Sequence, residues 1–271
     1  MFIFKHYIMG RVFLLIILFL FCFVPLTFSE DSKMDMPSES ETLIKQLELS
    51  KGQEILVTSD RLVSLGEDAV TYLLKSLTEA SEVRLKGALI FILGRIGSKE
   101  ATVALTEAIK DEKNAYIRRN IIEALGKIQD VRSFDVLVKG LSDQNAIVRE
   151  RAARALGNLA NKEAITSLIA VLSGEKDERV KIAIINALGV LKDKETVNVL
   201  FKELASQEDL TYKNEVVIAI GEIGDPSALP VLISYKDKLS QYKPKEAMVL
   251  FQIKEAIKIV DTAIKKIETV K

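Results

Sequence analysis

The chain has 271 residues, with 38 basic and 38 acidic side chains, one His (His6), one Cys (Cys22) and no Trp. Such a balance supplies no excess of cations to neutralise phosphates, so nucleic acid is not expected as a partner. A lone thiol cannot close an intrachain disulfide. A lone imidazole leaves no His-based metal cluster, and Cys-nucleophile or Ser-His-Asp chemistry would depend on these two residues.

Lys5 and Arg11 precede an apolar run from Val12 to Val24, which Pro25 breaks; Thr27 and Ser29 then stand where a signal cleavage site wants small residues. The pattern predicts a secretory leader over residues 1–29. An uncleaved membrane anchor over 12–28 is the alternative, although the run is short of the roughly 20 residues a span needs. Cleavage would remove His6 and Cys22 and leave 36 basic against 38 acidic groups. The expected location is then periplasmic or extracellular, with membrane contact only if the leader stays. Residues 30–38 are polar and aperiodic, and predict a flexible linker.

From residue 39 the chain predicts helix after helix to its end. Ser38-x-x-Glu41 has the form of a capping box, with Leu43, Ile44 and Leu47 behind it. Gly94, Gly126, Gly157, Gly189 and Gly221 then recur at steps of 32, 31, 32 and 32 residues. Around each glycine, apolar residues at −9, −5, −4, −2, −1 and +2 trace one broad helical stripe, for example Val148, Ala152, Ala153, Ala155, Leu156 and Leu159. Leu105, Leu137, Leu168, Leu200 and Leu232, eleven residues after each glycine, centre a second amphipathic helix. Asp130, Asn161, Asp193 and Asp225 fall between the two and suit helix N-caps or tight turns. Shifting the register by 32 residues places a helix at 67–79 and a first unit at 39–65, with Leu62 in the glycine's place. Pro244 opens a long Lys-rich helix over 244–270, the cap an open array end needs. The prediction is an all-α fold, an α-solenoid of about six stacked helical hairpins occupying 39–271 as one domain.

The stretch from Val148 to Leu172 (VRERAARALGNLANKEAITSLIAVL) resembles a HEAT repeat. Its period is shorter than the ~40–47 residues usual for that family, and is similar to the compact HEAT-like repeats of the phycobilisome lyase type. The resemblance covers about residues 66–260. It implies a superhelical fold and little about function. Departures are Tyr212-Lys213 in place of the Val-Arg pair, and Leu62. Deoxyhypusine hydroxylases share such repeats and hold iron with His-Glu pairs, which this chain lacks.

Two sets of residues invite roles. Lys86, Arg118, Arg149, Lys181 and Lys213 stand eight before each glycine; the resemblance implies that they lock repeat to repeat, as the five glycines do by close packing. An anion-binding groove is the other reading of the basic ladder. The second set lies on one face of the glycine-bearing helices at −7, −3 and +1: Arg119, Glu123 and Lys127; Glu150, Arg154 and Asn158; Ile182, Asn186 and Val190; Asn214, Ile218 and Glu222. This face would line the concave side and bind a protein or peptide. The expected function is an exported, non-catalytic scaffold without cofactor or metal. The alternatives are a lyase-type or cofactor-handling enzyme of the HEAT-like family, and a membrane-tethered assembly factor.

Overall fold

The computed structural model describes residues 38–206 and 208–269. The predicted leader and all but Ser38 of the predicted linker lie outside the described residues. The chain divides between Ser38 and Glu39, and the second unit, Glu39–Lys271, holds the described helices.

Fourteen α-helices succeed one another in that unit, with no strand among the described residues. They pair as antiparallel hairpins: α1 (Glu39–Leu49) with α2 (Gln53–Leu65), α3 (Glu67–Glu79) with α4 (Val83–Ile96), and α5 (Ala101–Ala108) with α6 (Ala115–Ile128). Next come α7 (Phe134–Gly140) with α8 (Ala146–Leu159), α9 (Ala164–Leu172) with α10 (Glu178–Leu191), and α11 (Val197–Ser206) with α12 (Leu210–Ile223). A terminal pair, α13 (Leu229–Gln241) and the 23-residue α14 (Ala247–Thr269), closes the row. The predicted α-solenoid is the fold observed: six repeats and a capping pair.

The helix ends follow from local chemistry. Asn114, Asn145, Asp177 and Asp209 each accept a backbone N–H through the side chain and start α6, α8, α10 and α12. These four stand twelve before their glycines, a second periodic signal in the sequence. Asp130, Asp193 and Asp225 cap short 3₁₀ turns that lead into α7, α11 and α13. At the other end, the residue three after each ladder glycine takes the left-handed conformation: Gly97, Gln129, Ala160, Lys192 and Gly224. The ladder glycines are therefore not the C-terminal caps.

Their reason is contact. A Cβ on Gly94 would come within 2.8 Å of Ala124, on Gly126 within 2.6 Å of Ala155, and on Gly157 within 3.1 Å of Ala187. For Gly189 the distance is 2.9 Å to Ala219, and for Gly221 it is 2.9 Å to Ala263 on α14. Each glycine thus seats a small residue of the next helix in the row, in four of the five cases the residue two before that helix's own glycine and for Gly221 the Ala263 of α14, which carries no glycine. Where the first unit carries Leu62, the second carries Ile92 at the receiving position, and both are buried; two large side chains replace the Gly–Ala pair. The second helices pack on one another along the row more closely than the first helices do. This tighter, inner row consists of α4, α6, α8, α10 and α12.

Candidate functional site

The basic ladder divides in two. Arg118 is buried and bonds Asp143 through Nε at 2.7 Å and a terminal nitrogen at 2.9 Å. Its other terminal nitrogen donates to the Glu112 and Lys113 carbonyls at 3.2 and 2.8 Å. Arg149 repeats the arrangement on Glu175, at 2.8 and 3.0 Å, and on the Asp143 carbonyl at 2.9 Å. Both acids sit in the following interhelix loop. The paired carboxylate raises each guanidinium's proton affinity against the cost of burial, and Arg149 holds Glu175 below the usual carboxylate range. These two arginines tie loop to helix and hairpin to hairpin through charge-assisted forks. Lys86 and Lys181 have no carboxylate within ion-pair distance among the described residues. Lys213 points elsewhere, with Nζ 5.7 Å from the centroid of the Tyr235 ring.

A lock not expected from the ladder lies at Asp130, also buried. It accepts from Thr102 Oγ1 on α5 at 3.1 Å and from Arg132 Nε at 2.8 Å, while Arg132 also donates to the Lys99 carbonyl at 2.8 Å. The Arg132 bond holds the Asp130 carboxyl down at about 2, against the upward push of desolvation.

The predicted concave residues share one face but are largely engaged with one another. Lys127 pairs with Glu123 at 3.1 Å, Arg151 reaches the same Glu123 at 3.6 Å, and Arg154 pairs with Glu150 at 3.0 Å. Asn186 donates to Glu215 at 3.2 Å. Asn158 contributes its carbonyl to Gln129 at 2.8 Å, and Glu222 pairs with Lys266 of α14. Val190 and Ile218 are exposed, Ile182 is half-buried, and the Asn214 side-chain oxygen is buried without a partner.

Sequence reasoning missed two features. The same three inner-face positions in the second unit are Gly87, Phe91 and Arg95. Phe91 is exposed and bracketed by two cations, Arg95 at 5.7 Å and Lys127 at 5.2 Å from its ring centroid. Arg119 lies 4.8 Å from the Tyr116 ring centroid, and a Cβ on Gly87 would meet that Tyr116 ring at 2.8 Å. The inner face of the second and third units thus presents exposed aromatic rings beside cations, of which Arg95 is paired with Asp60 and Lys127 with Glu123. The −3 position, read one unit further upstream, carried this signal.

The second feature is a cavity of about 830 Å³ between α11, α12, α13 and α14. Leu204, Leu210, Val231, Leu239 and Ile253 form its apolar wall; Lys213, Lys238, Glu208 and Ser234 supply its polar groups, and Tyr235 and Tyr242 its rings. The volume falls within the roughly 300–1,000 Å³ typical of small-molecule sites.

A family model described as HEAT repeats matches residues 70–157, 134–214 and 165–242, more than half of the chain. The phycocyanobilin lyase subunit alpha of Picosynechococcus sp. is 34% identical over 110 residues, which are 38% of this chain and 41% of that protein. The deoxyhypusine hydroxylase of Eremothecium gossypii is 34% identical over 97 residues, 35% of this chain and 30% of that protein. The chain therefore spans about two fifths or less of the curated relatives it matches. Among solved structures, the complex of CpcE and CpcF of phycocyanin lyase from Nostoc sp. PCC7120 matches with a TM-score of 0.50 at 20% identity, over 84% of this chain and 98% of that one. That likeness is one of fold. The relatives overturn the expected non-catalytic scaffold: both are named as enzymes. The error was to treat missing imidazole and thiol as missing chemistry, when their absence excludes particular mechanisms and leaves others open.

Proposed function

The chain belongs to the HEAT-repeat family, and from that premise we propose that it is a lyase-type enzyme subunit acting on a bilin-class molecule together with a second protein. The 34% identity to a phycocyanobilin lyase subunit carries this reading. The inner face supports it: the exposed rings of Phe91 and Tyr116, the latter under Arg119, which has no carboxylate partner among the described residues, offer a surface against which a partner protein can be oriented, while Arg95 and Lys127 beside Phe91 are paired with Asp60 and Glu123. A lyase makes or breaks a bond at a double bond, moving one proton without net oxidation or reduction. The one Cys of the sequence, Cys22, lies in the predicted leader and outside the described residues, and this reading assigns the sulfur nucleophile to the second protein. The chain's own part is to hold two reactants in register and to move protons through carboxylate, ammonium or phenol groups.

The hydroxylase relatives point to an iron-dependent reaction instead, and the residues do not fit an iron. No three His, Cys, Asp or Glu side chains gather into a metal site among the described residues, and the one His of the sequence is His6. No hydroxylation step is drawn for this chain.

The test is transfer. Purified full-length chain is incubated with phycocyanobilin and an apo-phycocyanin subunit, with and without a phycocyanin-lyase partner subunit. Covalent bilin on the acceptor is read by zinc-induced fluorescence in a denaturing gel. Attachment or removal faster than in enzyme-free controls supports the reading. Rates equal to the controls under both conditions refute it.

A further inference from the structure

The small molecule of a lyase-type reaction needs a place, and the following inference rests on that reading. The inner face is a poor candidate for it. A recess there, beside Phe91 and Lys127, holds about 20 Å³, less than a single ring requires. The charged residues there are spent on each other. The cavity between α11, α12, α13 and α14 differs in three respects.

It is large, at about 830 Å³, and mainly apolar within. It is the site of two ammonium groups, Lys213 and Lys238, that have no carboxylate within ion-pair distance among the described residues. Most arginines along the inner row are paired, whereas Lys213 and Lys238, like Lys86 and Lys181, are not, and these two share one apolar recess. Finally, the Tyr235 hydroxyl is buried and has no hydrogen-bond partner. Buried polar groups are nearly always satisfied, so the Tyr235 hydroxyl remains a donor beside the cavity. Its ring also faces Lys213 at 5.7 Å, so a flat ligand entering there meets an aromatic surface and a cation together.

We propose that this cavity binds a linear tetrapyrrole, with its rings against Tyr235 and the apolar wall and its two carboxylates on Lys213 and Lys238. Two cations lining one cavity match a dicarboxylate better than a single-headed fatty acid. The rings of Tyr235 and Tyr242 match a planar conjugated body better than a saturated chain. The pocket uses the terminal pair of helices, which lies outside the repeating register. The ligand is held at one end of the row, and the inner face stays free for the second protein.

The probe is biliverdin, a linear tetrapyrrole with two carboxylates, titrated into the purified full-length chain. Binding is read by the change in its visible absorption band. Saturable binding is expected, and the dimethyl ester should bind at least tenfold more weakly, because each lost charge-assisted contact is worth about that factor. Lys213→Met should weaken biliverdin tenfold and leave the ester unchanged. Val231→Trp should fill the cavity and abolish binding. Equal affinity for acid and ester overturns the proposal, as does displacement of biliverdin by equimolar palmitate. Undiminished binding by a Val231→Trp protein with the parent's melting profile also overturns it. The ester comparison needs no variant and decides the matter if Val231→Trp does not fold. Bilin binding without transfer to an acceptor sinks the lyase reading and leaves the pocket. Transfer that survives Val231→Trp sinks the pocket and leaves the lyase reading.

Discussion

Replacing Gly126 by alanine sets two effects of opposite sign against each other. Alanine is the better helix former by ~1 kcal/mol, so helix propensity alone predicts a gain. The added methyl, however, would lie 2.6 Å from the Ala155 Cβ and 3.0 Å from its Cα. Carbon pairs prefer ~3.5–4.0 Å, so the shortfall is about 1 Å. The atom met at 3.0 Å belongs to the backbone of α8, which cannot swing away as a side chain can. Overpacking of this kind costs ~1–3 kcal/mol, and contact with backbone puts Gly126 at the upper end. The net expectation is a loss of about 2 kcal/mol once the propensity gain is subtracted. With a urea m-value of ~2–3 kcal/mol/M, that is a fall of roughly 0.7–1 M in the midpoint. Gly174 is the control: nothing lies within 4 Å of its Cβ position, so Gly174→Ala should be neutral or stabilising by up to about 1 kcal/mol. Gly157→Ala, whose nearest contacts are 3.1 and 3.2 Å, should fall between the two. Ala155→Gly added to Gly126→Ala should recover part of the loss, with a coupling of at least ~1 kcal/mol in the double-mutant cycle. Urea unfolding followed by circular dichroism at 222 nm measures all six proteins, the Ala155→Gly single variant of the cycle included. A Gly126→Ala chain as stable as its parent, or a cycle without coupling, would refute the view that contact fixes the glycine ladder.

Arg118→Met leaves Asp143 partly buried and stripped of its two-pronged partner, and should destabilise by about 3 kcal/mol, while Arg118→Met with Asp143→Asn should restore at least a third of that; thermal melts decide. Asp130 has a folded-state pKa lowered to about 2 from 3.8. Its contribution is present above the unfolded value and is lost as pH falls through the folded one. Between pH 4 and 2 the parent should therefore lose urea stability more steeply than Asp130→Asn, and parallel curves would contradict the lock described for Arg132 and Thr102. Ala160 closes α8 at φ 55° without being glycine. Ala160→Gly should relieve the left-handed strain and stabilise by a few tenths to about 1 kcal/mol, read as a higher melting temperature.

The architecture was legible because one contact is written five times. Gly94, Gly126, Gly157, Gly189 and Gly221 each meet a small residue of the next helix, so the requirement for no Cβ stands out above the noise of single positions. The same redundancy would have exposed the Asn114, Asn145, Asp177 and Asp209 caps, which obey the same period. The left-handed helix ends were hidden for the opposite reason. The position recurs, but Gln129, Ala160 and Lys192 fill it as readily as Gly97 and Gly224, because tertiary packing holds a backbone that local preference would not choose. Leu62 shows the limit from another side: the unit without a glycine still stacks, since Ile92 replaces the alanine and the pair changes together.

Function obeys a different logic. A periodic sequence reports what successive hairpins have in common, and what they have in common is how they stack. Binding depends on what differs between them. Phe91 occupies a position that holds Glu123, Arg154, Asn186 and Ile218 in the later units, so its placement between Arg95 and Lys127 has no counterpart to betray it. Lys213 belongs to the same ladder as Arg118 and Arg149, yet it turns to Tyr235 because α13 and α14 follow a different register from the repeats before them. The cavity arises where the pattern ends: the last helices must cover an open face without a further hairpin to copy, and Lys213, Tyr235 and Lys238 meet where that cover is incomplete. Chemistry specific to this chain is accordingly expected where the 32-residue register fails, at the terminal pair and on the variable positions of the inner face, and not on the glycines and arginines that made the register visible.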